Sequence, residues 1–202
     1  LAQNKQQITS AALTPAYQKL ILEADRLVKA GKVYSVMNKT PLPPSGDKHD
    51  YMSQAPYWWP DPSKPDGKPY IRKDGDRNPE INGITDHDQL GEVISEVEIL
   101  SLAYFYTGKE EYAQHTAKLL STWFLDEKTK MNPHLNFGQG IPGINTGRGI
   151  GIIETRDLGK VCDAATLIST SKHWNSAVQK QLKAWFSAYA NWLTESADGK
   201  DE

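Results

Sequence analysis

An all-α fold of antiparallel helix pairs is the class predicted by three features of the sequence. Apolar residues recur at helical spacing through most of the chain, and strand-like alternation is nearly absent. The helical stretches are interrupted by two long irregular regions, 40–86 and 131–153. With 202 residues, 38% apolar and 24% charged, the chain has the length and composition of one globular domain, taken here as 1–202.

The elements follow in order. "TPAYQKLILEADRLVKAGK" predicts a helix with Thr14 as N-cap and Pro15 at the first helical position. Leu20, Ile21, Ala24, Leu27 and Val28 share one face, and Gly31 is the stop. "KVYSVM" reads as a short extended piece. "DQLGEVISEVEILSLAYFYTGK" carries Leu90, Val93, Ile94, Val97 and Leu100 at helical spacing and ends at Gly108. In "DHDQ" just before it, Asp86 or Asp88 is read as the N-cap. "EEYAQHTAKLLSTWFLD" follows at once with Tyr112, Leu119, Leu120 and Trp123 on one side, so the tight "TGKEE" turn predicts a helical hairpin. "TRDLGKVCDAATLIST" and "NSAVQKQLKAWFSAYANWLTES" predict the last helices, the second with Val178, Leu182, Trp185, Tyr189 and Trp192 inward.

Several function classes lose support on totals alone. A net charge of −2 gives a nucleic-acid partner no electrostatic footing. The single cysteine, Cys162, allows no internal disulfide and no Cys-based metal framework, and no other metal-ligand spacing is present. No apolar run approaches the roughly 18 residues of a membrane span. The chain opens at Leu1 rather than Met, which is the expectation for a processed N-terminus.

Irregular regions of this length are usually functional or disordered, and these are rich in Trp, Tyr, Asn, Arg and Gly, unlike a solvated linker. In "YWWPDPSKPDGKPYIRKDGDRNPE" prolines stiffen the segment around Trp58 and Trp59, which suits stacking on the flat face of a pyranose ring. The alternative is that the two indoles plug the end of a helical barrel. Arg72, Lys73 and Arg77 are placed to hold a carboxylate or phosphate. In "MNPHLNFGQGIPGINTGRGIGIIETRDL", Asn132, His134, Asn136 and Gln139 precede a glycine-rich run and then Arg148 and Arg156. Amide donors beside guanidinium forks could stabilise a sugar carboxylate as it gains enolate character. His134, flanked by a proline, reads equally as a structural hydrogen-bonding residue. A phosphate-loop reading lacks the closing Lys-Ser/Thr and a preceding strand.

The blocks "HDYMSQAPYWWPDPSKPDGKPYIRKDGDRNPE" and "NPHLNFGQGIPGINTGRGIGIIETR", with the helices between them, resemble the alginate lyase family of polysaccharide lyases. The resemblance covers roughly residues 45–170. It implies an incomplete (α/α) toroid of antiparallel helix pairs around a substrate groove, with the aromatic loop as a groove wall. The implied activity is β-elimination on a uronate polymer of alginate or glucuronan type, with no metal or organic cofactor, in a periplasmic or secreted enzyme. The implied partner is the anionic polysaccharide itself; a non-catalytic carbohydrate-binding module on the same framework is the alternative. On this reading Trp58, Trp59, Arg77, Asn136, Gln139, Arg148 and Arg156 line the groove. The family's Asn-His element and the Arg and Tyr after it come later in the chain than "ADGKDE", so the chain is expected to hold only the N-terminal part of the barrel. The catalytic His and Tyr are then expected after Glu202, with His134 the available candidate within the chain.

Overall fold

The computed structural model describes residues 13–201. Helices dominate: α1 (Thr14–Ala30), α2 (Asp86–Thr107), α3 (Glu110–Leu120), α4 (Gly159–Leu167), α5 (Ser176–Glu195) and the short α6 (Ala197–Lys200). Four strands of two to four residues lie within the long irregular regions: β1 (Met52–Gln54), β2 (Trp58–Trp59), β3 (Ile71–Arg72) and β4 (Phe137–Gly140).

Local chemistry explains the helix ends. Pro15 sits in the first turn of α1, where its missing N–H goes unneeded, and Gly31 closes the helix in the left-handed region at φ 61°. Leu13, not Thr14, occupies the N-cap position. Gly108 ends α2 in the same left-handed way, donating its N–H to the Tyr104 carbonyl, and α3 starts two residues later. The predicted hairpin is therefore present. The helix continuing from α3 loosens into a single π turn over Ser121–Leu125, and the Met131 N–H returns to the Trp123 carbonyl at 2.8 Å.

α2 is the central helix. It packs against α1, α3 and α4, and buries Leu90, Val93, Ile94, Val97, Leu100 and Ala103. Trp123 and Phe124 carry this core to α5, where the Trp185 ring meets Phe124 edge-on at 4.7 Å between centroids. The Trp185 indole N–H donates to the Met131 carbonyl at 2.8 Å, which ties α5 to the start of the second loop.

Three further local readings are corrected. "KVYSVM" finds no partner strand among the described residues; Ser35 Oγ instead accepts the Met37 N–H and starts a 3-10 turn over Val36–Asn38. The helix predicted from Thr155 starts only at Gly159, because Gly149–Thr155 forms a 3-10 segment. Thr85, not an aspartate, holds the N-cap position of α2, and Asp86 turns inward to a buried lysine.

A charged cleft between two joined loops

The two long loops are stitched together by their backbones. β1 pairs with β4 in parallel, with Met52 opposite Phe137 and Gln54 opposite Gly140. Three residues on β1 thus face four on β4, and the surplus is taken up by a bulge in which Gln139 adopts φ 50°. Further along, the Tyr70 N–H reaches the Pro142 carbonyl and the Asn132 N–H reaches that of His49. Gly147 permits the closest approach: a Cβ there would lie 2.0 Å from the Asn136 carbonyl oxygen.

Between these loops and the first turns of α2 lies a cleft of about 490 Å³. Arg77 stands on one wall, His87 and Asp88 come from α2, and Gln139, Glu154 and Arg156 come from the second loop and the segment after it. Arg77 and Arg156 are exposed. At one end Lys160 pairs with Glu98 at 2.9 Å.

Glu154 is held from beneath. Tyr51 Oη and Ser53 Oγ both donate to its Oε2, at 2.6 and 2.7 Å, and His87 Nδ1 lies 3.9 Å from the same oxygen. Burial, with the Glu154 charge beside it, pushes the Tyr51 phenol well above its ordinary value, so Tyr51 remains a donor. With both hydroxyls on Oε2, Oε1 is the carboxylate oxygen left for the cleft. Ser53 Oγ also accepts the Gln139 N–H at 2.7 Å, so one hydroxyl joins the strand bulge to the carboxylate.

The seven residues predicted to bind substrate divide into two groups. Arg77, Gln139 and Arg156 meet at the cleft. Trp58 and Trp59 lie beyond its lining in β2, half-buried and paired antiparallel with β3. The Trp59 indole N–H donates to the Asp76 carbonyl at 2.9 Å, and Lys73 Nζ sits 5.0 Å from its ring centroid. Asn136 accepts from the Trp192 indole N–H at 2.7 Å. Arg148 reaches Gln139 rather than the open cleft. His134 also lies outside the lining: its Nε2 is 3.0 Å from Asp50 Oδ1, an oxygen that also accepts from Asn132 Nδ2 at 2.6 Å.

Ser53, His87 and Glu154 belong to the cleft and were not singled out by sequence reasoning. Two of them had a weak signal. His87 stands in the charged "DHDQ" run read only as a helix cap, and Glu154 in the "GRGIGIIETR" block read only for its arginines. Among the described residues no group of three or more His, Cys, Asp or Glu side chains could hold a metal ion. Nor is any described helix long and apolar enough to cross a membrane.

A helix-rich chain whose two long loops build a charged cleft is the class that fold and site define. Within that class, the family model described as alginate lyase matches residues 35–202, and the chain belongs to the alginate lyase family. It is similar to a crystal structure of an alginate lyase from Bacteroides ovatus, with a TM-score of 0.93 and 47% sequence identity, covering 100% of this chain and 53% of that one. The chain thus spans about half the length of that protein. No curated protein matches it.

Proposed function

We propose that the chain forms the substrate cleft of a polysaccharide lyase that cleaves a uronate polymer, of alginate or glucuronan type, by β-elimination. The observation that carries this reading is the meeting of Arg77, Arg156 and Gln139 at one cleft in a member of the alginate lyase family. In this reading residues 1–202 form one unit of an (α/α) toroid, in a periplasmic or secreted enzyme.

The chemistry needs the uronate carboxylate neutralised. Guanidinium and amide donors on its oxygens stabilise the enolate that forms when a base removes the C5 proton. The electron pair then forms the C4–C5 double bond, the C4–O bond breaks, and the departing oxygen takes a proton. Donors of this kind take up the enolate charge, so the reaction calls for no added cofactor. Of the chain's own groups, His87 is the imidazole lining the cleft, with Glu154 3.9 Å behind it, whereas His134 is engaged by Asp50. The Trp58–Trp59 hairpin forms a rim for the sugar chain beyond the cleft.

Incubation of the full-length protein with alginate and with glucuronan, followed by ultraviolet absorbance of new unsaturated uronate ends, tests the reading. Arg77→Lys and Arg156→Lys keep the charge but lose the bidentate fork, and each should lower turnover without lowering the melting temperature. Unchanged turnover in both variants would remove these arginines from the site. Saturable binding without unsaturated ends would instead mark a carbohydrate-binding module.

A further inference from the structure

We propose that Arg148 is a positioning residue: it locks the Gln139 amide so that only its NH2 group faces the cleft, which makes Gln139 a selective donor to a carboxylate. The nature of the ligand rests on the uronate reading above; the lock itself does not.

Gln139 is held at every polar atom except one. Its main-chain N–H donates to Ser53 Oγ at 2.7 Å, and its carbonyl accepts from Arg148 Nε at 3.1 Å. Its side-chain Oε1 accepts from Arg148 Nη2 at 2.8 Å. Nε2 has no partner among the described residues, and Gln139 lines the cleft. A guanidinium has donors only, so turning the amide over would set donor against donor. The fork reaches the main-chain carbonyl and the side-chain oxygen of one residue together, which a lysine ammonium cannot do with fixed geometry. It also holds Gln139 at φ 50°, a left-handed conformation in which a non-glycine residue is uncommon. Charge-assisted bonding to Oε1 polarises the amide and strengthens the NH2 group as a donor. A neutral sugar hydroxyl could meet either end of a free amide; a locked NH2 favours an anionic oxygen. Arg148 therefore acts through Gln139.

Two measurements test this. The first needs no ligand: in a 15N-labelled protein, the Gln139 side-chain NH2 pair should be resolved from those of exposed glutamines and should move toward them in Arg148→Lys. A pair that stays in place in a folded Arg148→Lys variant would overturn the lock. The second is calorimetric binding of a tri-uronate and of a neutral trisaccharide by Gln139→Glu. Glutamate keeps the partnership with Arg148 but turns an acceptor to the cleft. The tri-uronate affinity should fall about ten- to hundredfold, as for one lost hydrogen bond to a charged group, with the melting temperature retained. Equal tri-uronate affinity for wild type and Gln139→Glu would sink the donor role. Failure of the wild type to bind the tri-uronate at all would sink the uronate reading, and the NH2 signal would still decide the lock.

Discussion

Lys39 Nζ lies 2.9 Å from Asp86 Oδ2, and neither side chain reaches solvent. Lys39 also donates to the carbonyls of Val36 and Lys48, at 2.8 and 2.7 Å, while Asp86 Oδ2 accepts the Met52 N–H at 3.0 Å. One buried ion pair thus fastens the start of α2, the 36–48 segment and β1 to each other. It sets the position of His87, the next residue, at the cleft.

Removing one partner should cost far more than removing both charges. Lys39→Met strands a buried carboxylate, and roughly 3–5 kcal/mol of stability should be lost in urea denaturation. Asp86→Asn added to it leaves no charge and keeps an acceptor for the Met52 N–H, so the double variant should recover part of the loss. A Lys39→Met variant within about 1 kcal/mol of wild type would contradict this account.

The same aspartate should make stability depend on pH. Burial raises its folded-state pKa from 3.8 to about 6, with Lys39 only partly opposing the shift. The folded state therefore holds the proton more tightly than the unfolded state. The contribution is fully present below the unfolded value and is lost as pH rises toward about 6. At about 1.4 kcal/mol per pH unit between the two values, the loss is on the order of 3 kcal/mol. Comparison with Asp86→Asn cancels other groups, and the stability difference should shrink between about pH 4 and pH 6. A difference flat across that range would be the wrong result for a carboxyl held this way.

Glu154 offers a test that separates shape from charge. Glu154→Gln keeps an oxygen for Tyr51 Oη and Ser53 Oγ and should change the melting temperature little. Glu154→Ala leaves the fully buried Tyr51 hydroxyl without its acceptor, a loss of about 1–3 kcal/mol. Equal melting temperatures for the two variants would show that the carboxylate does not hold Tyr51.

Gly147 should tolerate no side chain. A Cβ at 2.0 Å from the Asn136 carbonyl oxygen must push β4 away from the glycine-rich run that supplies Arg148. Gly147→Ala should cost about 1–3 kcal/mol by overpacking, a fall of roughly 2–10 °C in melting temperature. It should also move the Gln139 side-chain NH2 signal. A variant as stable as wild type would mean the loop shifts freely at that point.

The helices were legible in the sequence because their determinants are local. Leu90, Val93, Ile94, Val97 and Leu100 recur at the spacing of one helix face, and Gly108 marks the turn into α3 without reference to anything distant. That the two irregular loops carry polar and aromatic groups unsuited to a linker was equally readable. Their pairing was not, because β1 and β4 are too short to show a period, and Ser53 meets Gln139 across 86 positions of sequence. Asp86 looked like a helix cap until the fold brought Lys39 against it and removed both from water. Arg148 and Arg156 stand eight residues apart and carry the same charge, yet only tertiary structure turns the first onto Gln139 and leaves the second exposed at the cleft beside Asp157. A side chain's type sets which bonds it can make, while the packing of distant segments decides which partner it finds and whether water competes for it.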